Sequence, residues 1–274
     1  MSYLEFYQIR EHPFSNVIEN RFYYGSAQHA EALLRLKYAV ETMKGLAVLV
    51  GDIGTGKTTL ARRMLDELDE DRYESALLVI IHSSITTEWL LRKIAMQLGV
   101  PSVSEDKVDL LNNLFQRLVE IHEAGKKAVV LIDEAQMLRS REVMEEFRGL
   151  LNLEVPGGKL VSFIFFGLPE LDECMALDEP LQQRIAVKCR LKSLPAEATE
   201  EYVRHRLRIA GCEREILTPE AILAVHMYAK GIPRLINTVC DNALLEGFLL
   251  KRDVIDKEII ADVASDLGLN RQAV

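Results

Sequence analysis

The sequence predicts an α/β fold: a parallel sheet of the P-loop nucleoside-triphosphate type, covered by helices on both faces, followed by an all-helical C-terminal domain. Three observations predict it. The run Gly51-Asp52-Ile53-Gly54-Thr55-Gly56-Lys57-Thr58 joins the apolar stretch 46–50 to the helical stretch 59–65. A second apolar stretch, 128–132, ends in Asp133-Glu134. From Leu194 onward the alternation of strands and helices gives way to helices alone.

A G-x-x-x-x-G-K-T run is a phosphate site when a strand precedes it and a helix follows, and both are present. Glycine lets the backbone take positive φ and bring its N–H groups to an anion. The following helix aims its free amides and the positive end of its dipole at the same point. Lys57 can then reach the β- and γ-phosphates, and the Thr58 hydroxyl can ligate Mg²⁺. Thr59, in the first turn of the helix, completes the nucleotide-binding set. The residues therefore predict a site for ATP with Mg²⁺.

Asp133 and Glu134 supply the complementary chemistry. Open α/β sheets bind ligands beyond the carboxyl ends of their strands, which is where these two acids fall. Asp133 is expected in the Mg²⁺ shell. Glu134 is expected to accept a proton from, or orient, the water that attacks the γ-phosphate. The second acid argues for hydrolysis, because a binding switch would not need it.

Composition excludes several classes. Of 274 residues, 49% are apolar and 27% charged, an ordinary globular balance that suits one large domain and a satellite. The net charge of -9 and pI near 5.3 argue against a general grip on nucleic acid. Cys174, Cys189, Cys212 and Cys240 show no C-x-x-C spacing, so reduced buried thiols are expected, not a disulfide frame or a zinc site. No signal peptide is visible at Met1-Ser2-Tyr3-Leu4-Glu5, and no apolar run approaches the ~20 residues of a membrane helix. A soluble, cytoplasmic protein is expected.

In chain order, residues 1–43 read as an aromatic strap and a helix packed on the core. That helix begins near Ser26, with Ala30, Leu33, Leu34 and Val40 on its apolar stripe. Tyr24, Ser26 and His29 are candidates to lie over the nucleotide base, weighed equally against a purely structural strap. Residues 44–193 form the ATPase domain. After the P-loop helix, 76–81 reads as a strand buried throughout, and helices follow over 87–98 and 106–122, each stopped by glycine. A helix over 140–153 breaks at Pro156-Gly157-Gly158. A strand at 160–166, a short helix and a last strand at 186–191 complete the sheet. Residues 194–274 form the helical domain. Thr218-Pro219 is a helix start, with threonine as cap and proline in the first turn. Gly231-Ile232-Pro233-Arg234 sets an arginine in the first turn of another helix, after a rigid joint.

These features together resemble the AAA+ ATPases, and within them the ExeA (general secretion pathway protein A) family. The resemblance rests on Phe6 with His12-Pro13-Phe14, Phe22-Tyr23-Tyr24, His29 to Leu33, Gly51 to Leu60, Leu131 to Gln136, and Leu150-Leu151-Asn152-Leu153-Glu154. It continues through Gly167 with Pro169-Glu170-Leu171, Gln183-Arg184-Ile185 and Gly231-Ile232-Pro233-Arg234. It implies a helical lid, an arginine finger at Arg184 reaching into a neighbour's site, and a lid arginine at Arg234 touching the γ-phosphate of its own. It further implies a homo-oligomer working on a protein partner in a secretion or envelope complex, at an inner-membrane assembly. Relatives of the TniB and TnsC transposition type suggest a DNA-associated regulator as the less favoured alternative, and a low-turnover nucleotide-dependent scaffold as a third. One departure stands out: the family carries glutamine where this chain has Leu168, so a polar side chain at the sensor 1 position is missing. ExeA proteins continue through a membrane helix into a periplasmic part, and this sequence reads equally as a stand-alone relative or as the cytoplasmic part of a longer chain.

Overall fold

The structure, a computed structural model, describes residues 2–101 and 104–269. In chain order the elements are α1 (Tyr3–Tyr7), α2 (Ala27–Glu41), β1 (Leu46–Gly51), α3 (Lys57–Glu67) and β2 (Tyr73–Val79). Next come α4 (Thr87–Gln97), α5 (Lys107–Glu123), β3 (Lys127–Asp133), α6 (Arg141–Leu150), β4 (Glu154–Val155) and β5 (Gly158–Lys159). The chain continues with β6 (Val161–Gly167), α7 (Leu171–Met175), α8 (Glu179–Gln182) and β7 (Ile185–Leu191). It closes with α9 (Ala196–Ile209), α10 (Pro219–Ala229), α11 (Pro233–Leu249) and α12 (Lys257–Asp266). Packing divides the described residues into a sheet unit, within Ala27–Asp52 and Lys57–Leu191, and a helical unit, within Met1–Ser26, Ile53–Gly56 and Lys192–Val274.

In the sheet unit, five strands pair in the order β2-β3-β6-β1-β7, every pair parallel, with helices flanking them. β1, β3 and β6 lie inside the sheet and are buried along almost their whole length, the continuous apolar pattern that a sheet covered on both faces requires. The expected second strand is displaced. β2 covers 73–79, while Val79 is 43% and Ile81 76% exposed, so this strand is not buried throughout. It stands at the edge of the sheet, paired only with β3, and its end is open to solvent.

Helix starts follow their caps: Thr86, Asp106 and Ser140 each accept a backbone N–H of the helix that follows. α6 ends at Leu150, earlier than expected, because residues 154–159 turn back as the β4–β5 hairpin. The inner face of α2 is His29, Ala32, Leu33, Leu36, Ala39 and Val40. Leu33 and Val40 are where the stripe was expected, but Ala30 and Leu34 point outward, Leu34 at 70% exposure.

The helical unit packs α9 to α12 around a second core that also takes in Tyr7, Ile9, Phe14 and Phe22. The 1–43 strap is thus divided: its first part belongs with the C-terminal helices, and α2 belongs with the sheet. Ser2 and Glu5 cap α1 reciprocally, a local signal too short to stand out in the sequence. Thr218 caps α10 as expected, and Asp256 caps α12. The four cysteines carry no disulfide, and Cys174, Cys189 and Cys240 are buried. Among the described residues no helix is long and apolar enough to cross a membrane.

Candidate functional site

β1 delivers the chain to Gly51 and α3 resumes it at Lys57, so residues 51–58 are the expected strand–loop–helix turn. Lys57 is 7% exposed, and its Nζ donates to the carbonyl oxygens of Gly51 at 2.8 Å and Asp52 at 2.9 Å. The ammonium is thereby held against the loop from which phosphate would be bound. Thr55 is buried, Thr58 and Thr59 are half-buried, and Asp52 and Ile53 are exposed.

The middle of the loop, Ile53–Gly56, falls in the helical unit. Gly54 has φ +78°, and a Cβ there would stand 2.9 Å from both Arg234 Cβ and Ile232 Cγ2. Only glycine fits that conformation and that approach. The Arg234 N–H donates to the Gly54 carbonyl at 3.3 Å, in the first turn of α11. The joint before it is equally tight. Gly231 has φ +68°, and a Cβ there would lie 2.0 Å from the Leu194 carbonyl oxygen. Arg234 is therefore fixed through its backbone to Gly54, while its side chain is exposed.

In the sheet unit β3 ends at Asp133, 1% exposed. Its Oδ1 accepts the Glu134 N–H at 3.0 Å, and the Thr58 hydroxyl bonds the same carboxylate. Oδ2 is buried with no partner. Burial pushes the carboxyl above its ordinary range, against the Thr58 and Glu134 hydrogen bonds that favour the charged form. A divalent cation fits this donor set. One carboxylate oxygen and one hydroxyl suit Mg²⁺, which keeps most of its ligands as water and substrate phosphate. No cluster of three or more His, Cys, Asp or Glu suited to a metal occurs among the described residues.

Glu134 is half-buried with φ +56°, in the left-handed region that non-glycine residues rarely adopt. Such strain concentrates at functional positions. Its carboxylate accepts Gln136 Nε2 at 2.5 Å, and Gln136 Oε1 accepts the Leu168 N–H at 3.1 Å. Reasoning from sequence left Gln136 without a role. Its position two residues after Glu134 was the available signal.

Arg184 follows α8 and is half-buried. Its Nη1 donates to Asn152 Oδ1 at 2.5 Å and lies 3.5 Å from the Arg148 carbonyl. Tyr24 sits in the helical unit, donating to Glu201 with its ring 5.9 Å from Tyr202 and 5.8 Å from His205. Burial and the Glu201 carboxylate push its hydroxyl up to about 12. His29 is buried on α2 of the sheet unit.

Residues 40–175 match the family described as AAA domain. General secretion pathway protein A of Aeromonas hydrophila is 38% identical over 249 residues, covering 90% of this chain and 45% of the relative. A disease resistance RPP13-like protein of Arabidopsis thaliana is 31% identical over 90 residues, 32% of this chain and 10% of the relative. The chain thus spans less than half the length of the curated relatives it matches. Among solved structures, the ORC2 protein of Aeropyrum pernix, in ADPNP-ADP complexes, superposes with TM-score 0.69 at 15% identity, covering 93% of this chain and 71% of that one. Drosophila ORC bound to DNA gives 0.70 at 16%, covering 98% and 67%. The chain belongs to the AAA+ P-loop proteins and, within them, is a relative of general secretion pathway protein A.

Proposed function

We propose that this chain is a Mg²⁺-dependent ATPase that couples ATP hydrolysis to the assembly or remodelling of a partner complex. The observation that carries the reading is Asp133, whose buried Oδ2 lacks a partner beside the Thr58 hydroxyl. Thr58 and Asp133 would hold the cation, which would neutralise phosphate charge. Residues 51–59 bind the phosphates, Lys57 supplies the cationic side chain, and Glu134 prepares the attacking water. Arg234 senses the γ-phosphate from α11, and Tyr24 and His29 are assigned to the base side of the site. A solved neighbour in complex with ADPNP and ADP supports the nucleotide assignment. Kinship with general secretion pathway protein A supports a cytoplasmic partner complex serving secretion or the envelope, with the chain as a homo-oligomer. A structural neighbour solved bound to DNA favours a second reading, a DNA-associated regulator, against which the net charge of -9 weighs.

Calorimetry and phosphate release test the reading. Lys57→Ala should weaken Mg-ATP binding about 100-fold, the loss of a hydrogen-bonded charge worth ~3 kcal/mol. Glu134→Gln should bind normally and lose about 10²- to 10⁴-fold in turnover. Arg234→Ala should weaken ATP more than ADP. Equal ATP affinity in wild type and Lys57→Ala would refute the site. A wild type no faster than Glu134→Gln would refute hydrolysis and leave the scaffold.

A further inference from the structure

We infer that Gln136 is a positioning residue for Glu134, acting as a carboxamide bridge between that carboxylate and the Leu168 backbone. The inference rests on the hydrolytic reading above. Gln136 is 5% exposed, and both ends of its side chain are engaged. The orientation of the amide follows from chemistry. The Leu168 N–H can only donate, so Oε1 must face it, and Nε2 must then face Glu134, whose ionised carboxylate can only accept. The bridge is tightly framed: a Cβ at Gly167 would lie 3.0 Å from Gln136 Oε1 and 3.2 Å from its backbone nitrogen.

The consequence concerns direction. Glu134 projects from a left-handed residue just past the end of β3, where its neighbours in the strand no longer hold it. Without a second anchor its carboxylate would sample several rotamers. Donation from Nε2 fixes Oε2 and leaves Oε1 of Glu134 as the oxygen able to accept a proton from water. The apolar side chain of Leu168 cannot contribute a hydrogen bond, but its N–H locks the far end of the bridge to β6. The polar link between the β6 end and the catalytic acid therefore passes through Gln136.

Two variants separate positioning from structure. Gln136→Met keeps the volume and loses both bonds. Gln136→Glu keeps the acceptor for Leu168, loses the donor to Glu134 and sets a like charge beside it. Both should lower kcat about 10- to 100-fold, the effect of a misplaced catalytic group, with ATP affinity within twofold of wild type. Amide hydrogen exchange at Leu168 should accelerate in Gln136→Met and stay protected in Gln136→Glu. On a Glu134→Gln background neither substitution should lower turnover further. A Gln136→Glu protein that turns over within twofold of wild type overturns the inference, as does a loss that persists undiminished on Glu134→Gln. If Gln136→Met does not fold, Gln136→Glu decides alone. A wild type without turnover would overturn the hydrolytic reading and this inference together. A wild type that turns over, stops in Glu134→Gln and is unaffected in Gln136→Glu overturns the inference alone.

Discussion

In the helical unit Arg206 is 6% exposed, and each of its nitrogens has a partner: the Pro13 carbonyl, the Ser15 carbonyl and the Tyr202 hydroxyl. Its guanidinium also lies 4.8 Å from the Phe22 ring centre. In the sheet unit Asp133 is 1% exposed, and one of its two carboxylate oxygens has no partner. Both are buried charges of the kind that cost several kcal/mol unless compensated. Arg206 is compensated by the chain itself, tying residues 13–15 to α9. Asp133 is left with an open valence at the end of a central strand. The difference separates a charge that builds the fold from one kept for a ligand, and burial alone would have classed them together.

Arg184 tests the comparison hardest, because it stands between the two cases. It is engaged by Asn152, as a structural arginine would be, yet it is half-buried and displayed after α8. If it completes a neighbour's site, Arg184→Ala should lose about 10³-fold in turnover, the scale of an arginine delivered to transition-state charge. The decisive measurement mixes Arg184→Ala with Lys57→Ala, each nearly inactive by itself. Some interfaces then pair an intact loop with an intact arginine, and activity should partly return. No recovery in a mixture shown by cross-linking to co-assemble would return Arg184 to the structural class.

Arg206 should show the opposite profile. Arg206→Met keeps the apolar stem over Phe22 but strands the buried Pro13 carbonyl and the half-buried Ser15 carbonyl, at about 1–3 kcal/mol for a fully buried group left unsatisfied. A loss of roughly 3 kcal/mol is expected, with faster amide exchange in α9 and over residues 13–15. Nucleotide affinity of the folded protein at saturating stability should change little. A fall in ATP affinity as large as that of Lys57→Ala would place Arg206 with the ligand groups.

The sequence made one side of this contrast far easier to read than the other. Lys57, Thr58, Asp133 and Glu134 announce themselves because their geometry is local: a strand, a turn and a helix start within a dozen residues. Helix starts at Asp106, Thr218 and Asp256 are legible for the same reason, each cap lying next to its helix. Arg206 reaches Pro13 across 193 positions, and no local pattern marks such a pair. The same distance hid the membership of Tyr7, Phe14 and Phe22 in the C-terminal core. β2 starts three residues and ends two residues earlier than expected, because an apolar run reads alike at a buried centre and at an open edge. Gln136 was overlooked because its role needs Leu168, thirty-two residues away, brought beside it by β3–β6 pairing.

The smallest predicted effect concerns pH, where the two units should respond in opposite senses. Burial raises the Asp133 carboxyl above its unfolded value, so between the two values the folded state holds more protons than the unfolded one. Its contribution is therefore a loss of stability as pH climbs from about 4 through the folded value, complete above that value. His205 and His226, in the helical unit, are shifted the other way, chiefly by burial. Their contribution is complete above the ordinary value of about 6.5 and is lost as pH falls from there through the lowered folded values. Asp133→Asn removes the charge while its side-chain oxygen can still accept the Glu134 N–H and the Thr58 hydroxyl. Without ligand at neutral pH it should be more stable than wild type, within the 0.5–2 kcal/mol or so that stabilising substitutions commonly give. The advantage should shrink as pH falls through the raised folded value of wild-type Asp133. Trp89, the single tryptophan and packed in the sheet unit, reports that melt by fluorescence. With Mg-ATP the order should reverse, because wild type then fills its open valence and the variant cannot. An Asp133→Asn protein less stable than wild type in the absence of ligand would mean that Asp133, like Arg206, is there for the fold.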